Sequence, residues 1–426
     1  MLSILAIIFS LLLMVYLIWK KVSIVIAAPI CAGILAILSG LNVFDALTAD
    51  YMKSFGNYVI SYWPLFFLSA TFAKAMELCG ASNDVANMLS EKIGSKHAMM
   101  IIIITSLVLT YGGVSCFVLA FAVYPIALVL WQNADLPRHL IPGAIAAGAF
   151  TAPNLLPGSP ALVNVLPIQF LGTSATCAPL LAMIDSAVIF GLAVLYMLWQ
   201  EKLARKRGEH FVADEKIMKM MEAAKARERG NGFKALIPMA LVVGLLFAQV
   251  NVLISMIIGI LCVTVLYWKK IADKLNILNG GIGDSMIAIV NTSAAVGFGG
   301  VAAVTAGYQA LVNLAINFSG PPLFSFGIAT ALLAGACGSG SGGLGLALST
   351  LGDKYIAMGI DPAVLHKVAS AACITLDSLP HNGVMVTLLA VCGLTHKEAY
   401  RHIGMITVVI ASVTMFVSIF FGTILY

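Results

Sequence analysis

Charge is what this sequence has least of. Of 426 residues only 10% are Asp, Glu, Lys or Arg, where ordinary soluble domains carry about 25%. The few charges are bunched, with nine basic and six acidic residues inside 200–232. Hydrophobic residues make up 61%, and the mean hydropathy is +1.00. So few charges cannot clothe a water-soluble fold of this size, so the chain is read as an integral membrane protein. Nucleic-acid binding and a disulfide-stapled secreted fold are excluded on the same grounds. Catalytic motifs are missing too: there is no GxxxxGK[ST] loop, no HExxH and no nucleophile-plus-base arrangement. ATP-driven transport and intramembrane proteolysis then have no machinery, and any energy must come from an ion or substrate gradient. The eight cysteines stand singly in apolar runs, never at CxxC spacing. They read as small packing residues rather than metal ligands, so no metal or cofactor is expected.

What the sequence has in abundance is apolar runs near the 20 residues a helix needs to cross a bilayer. Candidates are 2–19, 22–41, 57–78, 98–111, 114–131, 141–152 and 180–199. Beyond the charged stretch they are 233–250, 252–268, 286–298, 301–318, 323–336, 364–376, 383–391 and 403–425. Several are too short to cross alone, which predicts re-entrant hairpins or broken helices. Trp19, Trp131, Trp199 and Trp268 stand at span ends, as in an interfacial belt. Lys20-Lys21, Lys269-Lys270 and the stretch 200–232 should all face the cytoplasm by the positive-inside preference, with the N-terminus outside. No basic region precedes the first run, so a cleaved signal peptide is not expected. The expected organisation is a transmembrane half at 1–199, a charged cytoplasmic linker at 200–232 and a second half at 233–426.

An internal similarity suggests duplication. Ile102, Thr105, Ser106, Gly112, Gly113 and Val114 recur 187 residues on as Ile289, Thr292, Ser293, Gly299, Gly300 and Val301. With a five-residue insertion Asp185-Ser186 aligns with Asp377-Ser378. Duplicated halves of a polytopic protein usually pack about a pseudo-two-fold axis, with the substrate site between them. The expected fold is therefore all-α and polytopic, with two repeats, inverted in orientation, and re-entrant hairpins or broken helices.

Two stretches cannot be continuous helix: 151–160, rich in proline, and the Gly/Ser run 338–343. Unwound backbone at membrane depth survives only when buried in protein or lining a cavity. Its free N–H groups suit an anion. Asn154, Gly158, Ser159, Gly338, Ser339, Gly340, Ser341 and Gly342 are therefore candidate substrate contacts, with Asn382 nearby. The pairs Gly112-Gly113 and Gly299-Gly300 are either breaks or close helix contacts. Ionisable residues in apolar runs are functional candidates, which singles out Asp377, His381 and Asp185 for ion coupling. Lys74 and Glu77, at i,i+3 spacing, read as a local ion pair, and Asp284 as interfacial.

The stretch Ala73-Lys74-x-Met76-Glu77-x-x-Gly80, the tip Gly338-Ser339, the break at His381-Asn382 and Leu394-Thr395-x-x-Glu398-x-x-Arg401 together resemble the gluconate permease family. The resemblance spans nearly the whole chain. It implies a bacterial inner-membrane secondary transporter of the wider ion-transporter superfamily, often a homodimer, in which paired hairpins hold a carboxylate. The tip reads GSGSGG where sugar-acid carriers are closer to GSATVA, and the break reads LPHNG rather than a His-x-Asn-Asp form. The substrate class therefore extends over gluconate-like hydroxy acids, hydroxybutyrate-like monocarboxylates and citrate-like acids. The partners expected are one such anion, a coupling proton or sodium ion, and the lipid bilayer. Competing readings are a cation/proton antiporter, using the acids without an anion site, and a non-transporting membrane scaffold or sensor.

Overall fold

In the computed structural model, residues 2–20, 22–93, 97–114, 116–226, 230–271, 273–310, 320–380 and 382–426 are described. They are helical throughout, with no strand among them. The first helices are α1 (Leu2–Trp19), α2 (Ile24–Leu38), α3 (Val43–Leu78) and α4 (Ala81–Ile93). Next come α5 (Ala98–Tyr111), α6 (Cys116–Ala134), α7 (Ile141–Ala149), α8 (Leu162–Leu171) and the long α9 (Pro179–Lys206). The linker holds α10 (Glu215–Ala226), and α11 (Gly232–Phe247), α12 (Val252–Leu266) and α13 (Leu275–Ala303) follow. The chain ends with α14 (Pro322–Cys337), α15 (Gly340–Ala347), α16 (Pro362–Cys373), α17 (Gly383–Cys392) and α18 (His396–Leu425).

Asp84 on α4 marks one face of the molecule. Its carboxylate accepts the Gly230 N–H at 2.8 Å and lies 3.7 Å from Lys270. The end of α6 joins the same face, because Asp135 accepts the Phe211 N–H at 3.0 Å and meets His210 at 2.7 Å. Chain connectivity brings Lys20 there too, two crossings before α4. The three basic segments thus share one face. The start of α1 lies at the opposite face, where the backbone at Ser3 packs on Gly307.

These anchors orient the short helices. The α5–α6 pair enters from the basic face and turns at Gly112–Val114, where Gly113 takes φ +93° beside the Phe72 ring. The pair α7 and α8 then crosses as one helix interrupted at 150–161, and α9 returns. After α13 the same order of elements appears from the other face. The α14–α15 hairpin turns at Gly338 (φ +58°), α16 and α17 cross with an interruption from 374 to 380, and α18 returns. The 187-residue register is corrected by this layout. It sets α5, which ends in a turn, against unbroken α13, and Asp185 inside α9 against Asp377 in a break. Like elements stand roughly 220 residues apart.

The two glycine pairs part company. Gly112-Gly113 forms a turn, whereas Gly299-Gly300 stays helical, so the expected spans 286–298 and 301–318 are not separated there. Glycine serves α13 by permitting close approach. A Cβ on Gly281 would strike Thr71 and one on Gly300 would strike Ser54, both on α3, which runs antiparallel to α13. Residues 311–319 lie outside the described set. Trp199 and Trp268 are exposed as belt residues should be, but Trp131 is fully buried and belongs to the core. Lys74 and Glu77 pair at 3.0 Å.

The linker is docked rather than loose. Asp135 is held below the usual carboxylate range, first by the Phe211 N–H and then by His210. A depressed carboxylate contributes stability above its ordinary titration range and loses it as the pH falls through the lowered value. Asp135→Ala is expected to speed tryptic cleavage at Arg205–Arg207 several-fold at pH 8. Acidification of the wild type should raise hydrogen exchange across 207–214. Unchanged protection in both experiments would mean the linker is held by other contacts.

Candidate functional site

Asp377 lies in the second break and is partly open. Its Oδ1 accepts the Ser378 hydroxyl at 2.7 Å, and its carboxylate lies against Gly340. Gly340 opens α15, so the carboxylate sits at the positive end of that helix dipole. A Cβ on Gly340 would stand 2.8 Å from Asp377 Oδ2, which is why glycine is needed there. The tip expected to offer free N–H groups to an anion is therefore occupied by an acidic side chain of the protein itself. Ser339 caps α15 by accepting the Gly342 N–H at 3.3 Å, with Ser341 Oγ 3.4 Å away.

Asn382 staples this region. Its amide donates to Gly338 O at 3.0 Å and to Asp377 O at 2.8 Å. Its oxygen accepts from the Val384 and Met385 N–H groups at the start of α17. That commits both amide hydrogens and the oxygen to the fold. Tyr400 donates to Ser378 O at 2.9 Å and closes the far side. His381 lies outside the described residues.

The first break is knotted separately. Asn154 donates to Ala149 O at 3.5 Å, and Ser159 donates to Pro153 O. Gly158, at φ +72°, packs beneath the Phe247 ring and donates to Ala175 O at 3.0 Å. Tyr111, at the α5–α6 turn, donates to Pro157 O at 2.8 Å. Asp377, Asn382, Gly338, Ser339 and Gly340 are thus brought together. Asn154, Gly158 and Ser159 form a second group, with α8 packed against α15 between them.

A third group was missed from the sequence. Asn164 on α8 donates to Ser159 O at 2.8 Å and Ala175 O at 3.1 Å. Its oxygen accepts Lys367 Nζ at 2.6 Å and lies 3.3 Å from His366 Nε2. His366 Nδ1 is 2.7 Å from Thr173 Oγ1. Ser370 donates to Val163 O at 2.8 Å, tying α16 to α8 again. Lys367 and His366 are both wholly buried. Asp185, 1% exposed on α9, accepts from Ser418 on α18 at 2.7 Å through Oδ2, while Oδ1 has no partner among the described residues. Two adjacent titratable residues in the apolar run 364–376 were the available signal. The rule that singled out Asp377 applies equally to them.

Comparison with known proteins settles the family. Residues 1–252 match the model of the GntP family permeases. The chain belongs to that family. The permease is 34% identical over 445 residues to an uncharacterized transporter, YxjC, of Bacillus subtilis (strain 168), covering 93% of this chain and 94% of that one. Among solved structures it resembles the Alcanivorax borkumensis YdaH transporter, described as having an unusual topology. The TM-score is 0.57 at 16% identity, over 90% of this chain and 89% of that one. At that identity the likeness is one of fold. The permease is thus a multi-pass, all-α membrane protein with hairpins and broken helices, and a secondary transporter rather than an enzyme.

Proposed function

We propose that the permease imports a small organic acid anion across the bacterial inner membrane by symport with a proton. The substrate class is a gluconate-like hydroxy acid, a hydroxybutyrate-like monocarboxylate or a citrate-like acid, and the working unit is a homodimer, as the family resemblance implies. The observation that carries the reading is the Asp377 carboxylate standing against Gly340 at the head of α15. While charged, it competes with any incoming anion for the N–H groups of that tip. Protonation removes the competing charge and frees the tip, so proton and substrate load together. Gly338–Gly342, with Asn154, Gly158 and Ser159 across α8, frame the substrate. Asp377, His381 and Asp185 are the ion-coupling groups, and Asn382 positions the tip.

We further propose that 1–199 and 233–426 are inverted repeats joined by the charged linker 200–232. The recurring order of hairpin, broken helix and long helix, entered from opposite faces, supports this.

The test is uptake of radiolabelled gluconate, 3-hydroxybutyrate and citrate into proteoliposomes, with an inward proton gradient, an inward sodium gradient or neither. Proton-driven accumulation of one acid is the expected result. Sodium-driven accumulation would replace the coupling ion. Proton movement on adding salt alone, with no acid transported, would favour an antiporter instead.

A further inference from the structure

We infer that Lys367 is the charged anchor for the carboxylate of the transported anion, a role that rests on the organic-acid reading above. Lys367 is 0% exposed, about a turn and a half inward along α16 from its outer end. A buried ammonium is costly unless paired with an opposite charge. Yet among the described residues its one acceptor is the neutral amide oxygen of Asn164 at 2.6 Å, although an ammonium has three hydrogens to donate. The Cys177 thiol and, more weakly, the Asp185 carboxylate bear on its charge. The Asp185 carboxylate is instead held by Ser418 on α18, and its Oδ1 has no partner among the described residues.

The titratable groups facing Lys367 come from three places. Its own helix supplies His366, which shares the Asn164 oxygen; α8 supplies the neutral Asn164; the turn ahead of α9 supplies the Cys177 thiol, and α9 supplies Asp185. The arrangement is a cation parked on a neutral group, beside a break in the membrane. A neutral acceptor is cheap to leave, whereas a closed ion pair with Asp185 would hold the ammonium tightly. Asn164 also ties the parking place to the first break, through Ser159 O. An anion arriving at the break can therefore draw the ammonium off Asn164 without leaving a buried charge unpaired. A charge-assisted bond replaces a neutral one, which is the direction in which binding is favourable. Lys367 thus supplies the charge complement that the α15 tip, held by Asp377, does not.

The experiment compares wild type, Lys367→Gln and Lys367→Arg in the proteoliposome assay, with the three acids as probes and unfolding temperature as the folding control. Gln can still donate to Asn164 but carries no charge; Arg keeps the charge. The expected result is that Lys367→Gln raises the half-saturating acid concentration at least about ten-fold, as loss of a charged hydrogen bond should. Its maximal rate and melting should stay near wild type, and Lys367→Arg should restore most of the affinity. A half-saturating concentration within two-fold of wild type in Lys367→Gln overturns the anchor while leaving organic-acid import standing. So does a parallel fall in melting temperature and rate with affinity unchanged, which would mark a purely structural tie between α16 and α8. Failure of the wild type to transport any of the acids, with salt-driven proton movement in its place, overturns both.

Discussion

Asp377→Asn is expected to abolish concentrative uptake while leaving exchange of substrate across the membrane intact. The amide resembles the protonated acid, and its oxygen can still accept from Ser378, whose hydroxyl now lies 2.7 Å from Asp377 Oδ1. What disappears is the charge that competes for the head of α15 and the proton that travels with the substrate. A carrier locked in its protonated form binds and exchanges but cannot be driven. With a gradient of one pH unit the wild type should accumulate substrate about ten-fold, the equivalent of 1.36 kcal/mol. The variant should only equalise the two sides, while counterflow proceeds at a rate within a few-fold of wild type. Accumulation by the variant equal to that of the wild type would remove Asp377 from coupling and shift attention to Asp185.

The second large effect concerns packing. Gly343→Val should prevent the α14–α15 hairpin from closing, because a Cβ at this position would overlap the backbone of Ala334 on the facing helix. Backbone on both sides leaves no flexible side chain to give way. Overpacking of this kind costs about 1–3 kcal/mol where neighbours can move, and more where they cannot. The hairpin also carries Gly338, Ser339 and Gly340, so the loss extends to the site. We expect the variant to leave the monodisperse peak in detergent size-exclusion chromatography, or to melt at least 10 °C below wild type. Gly283→Ala is the control. No atom lies within 4 Å of its Cβ position, and alanine in a helix interior is favourable by up to about 1 kcal/mol. A folded, active Gly343→Val protein would show that the hairpin tolerates separation from its partner helix.

Much of the site was visible in the order of residues, and the reasons it stopped there are physical. Prolines in 151–160 and glycines in 338–343 forbid regular helix, so both breaks could be located without coordinates. Burial of charge in lipid is costly, which made Asp185 and Asp377 stand out. Lys367 escaped although the same rule covers it, because its acceptor lies 203 residues away on α8. Nothing local hints at that meeting. The register of the halves was misjudged for a related reason. Matches among Ala, Gly and Thr report composition as readily as descent, and they do not say where a helix turns.

Composition and apolar length alone therefore decide that this chain lives in a membrane, lacks the catalytic motifs of an enzyme, and contains interrupted helices. These properties follow from solvation and from local backbone geometry, both of which are set residue by residue. Tertiary structure decides the rest. Gly112-Gly113 turns while Gly299-Gly300 packs, since the outcome depends on whether a second helix lies alongside. Asp377 fills the tip that its N–H groups would otherwise leave open to an anion. Lys367 ends up buried against a neutral amide. Each of these depends on which distant groups are brought within hydrogen-bonding reach, and that is a property of the folded chain.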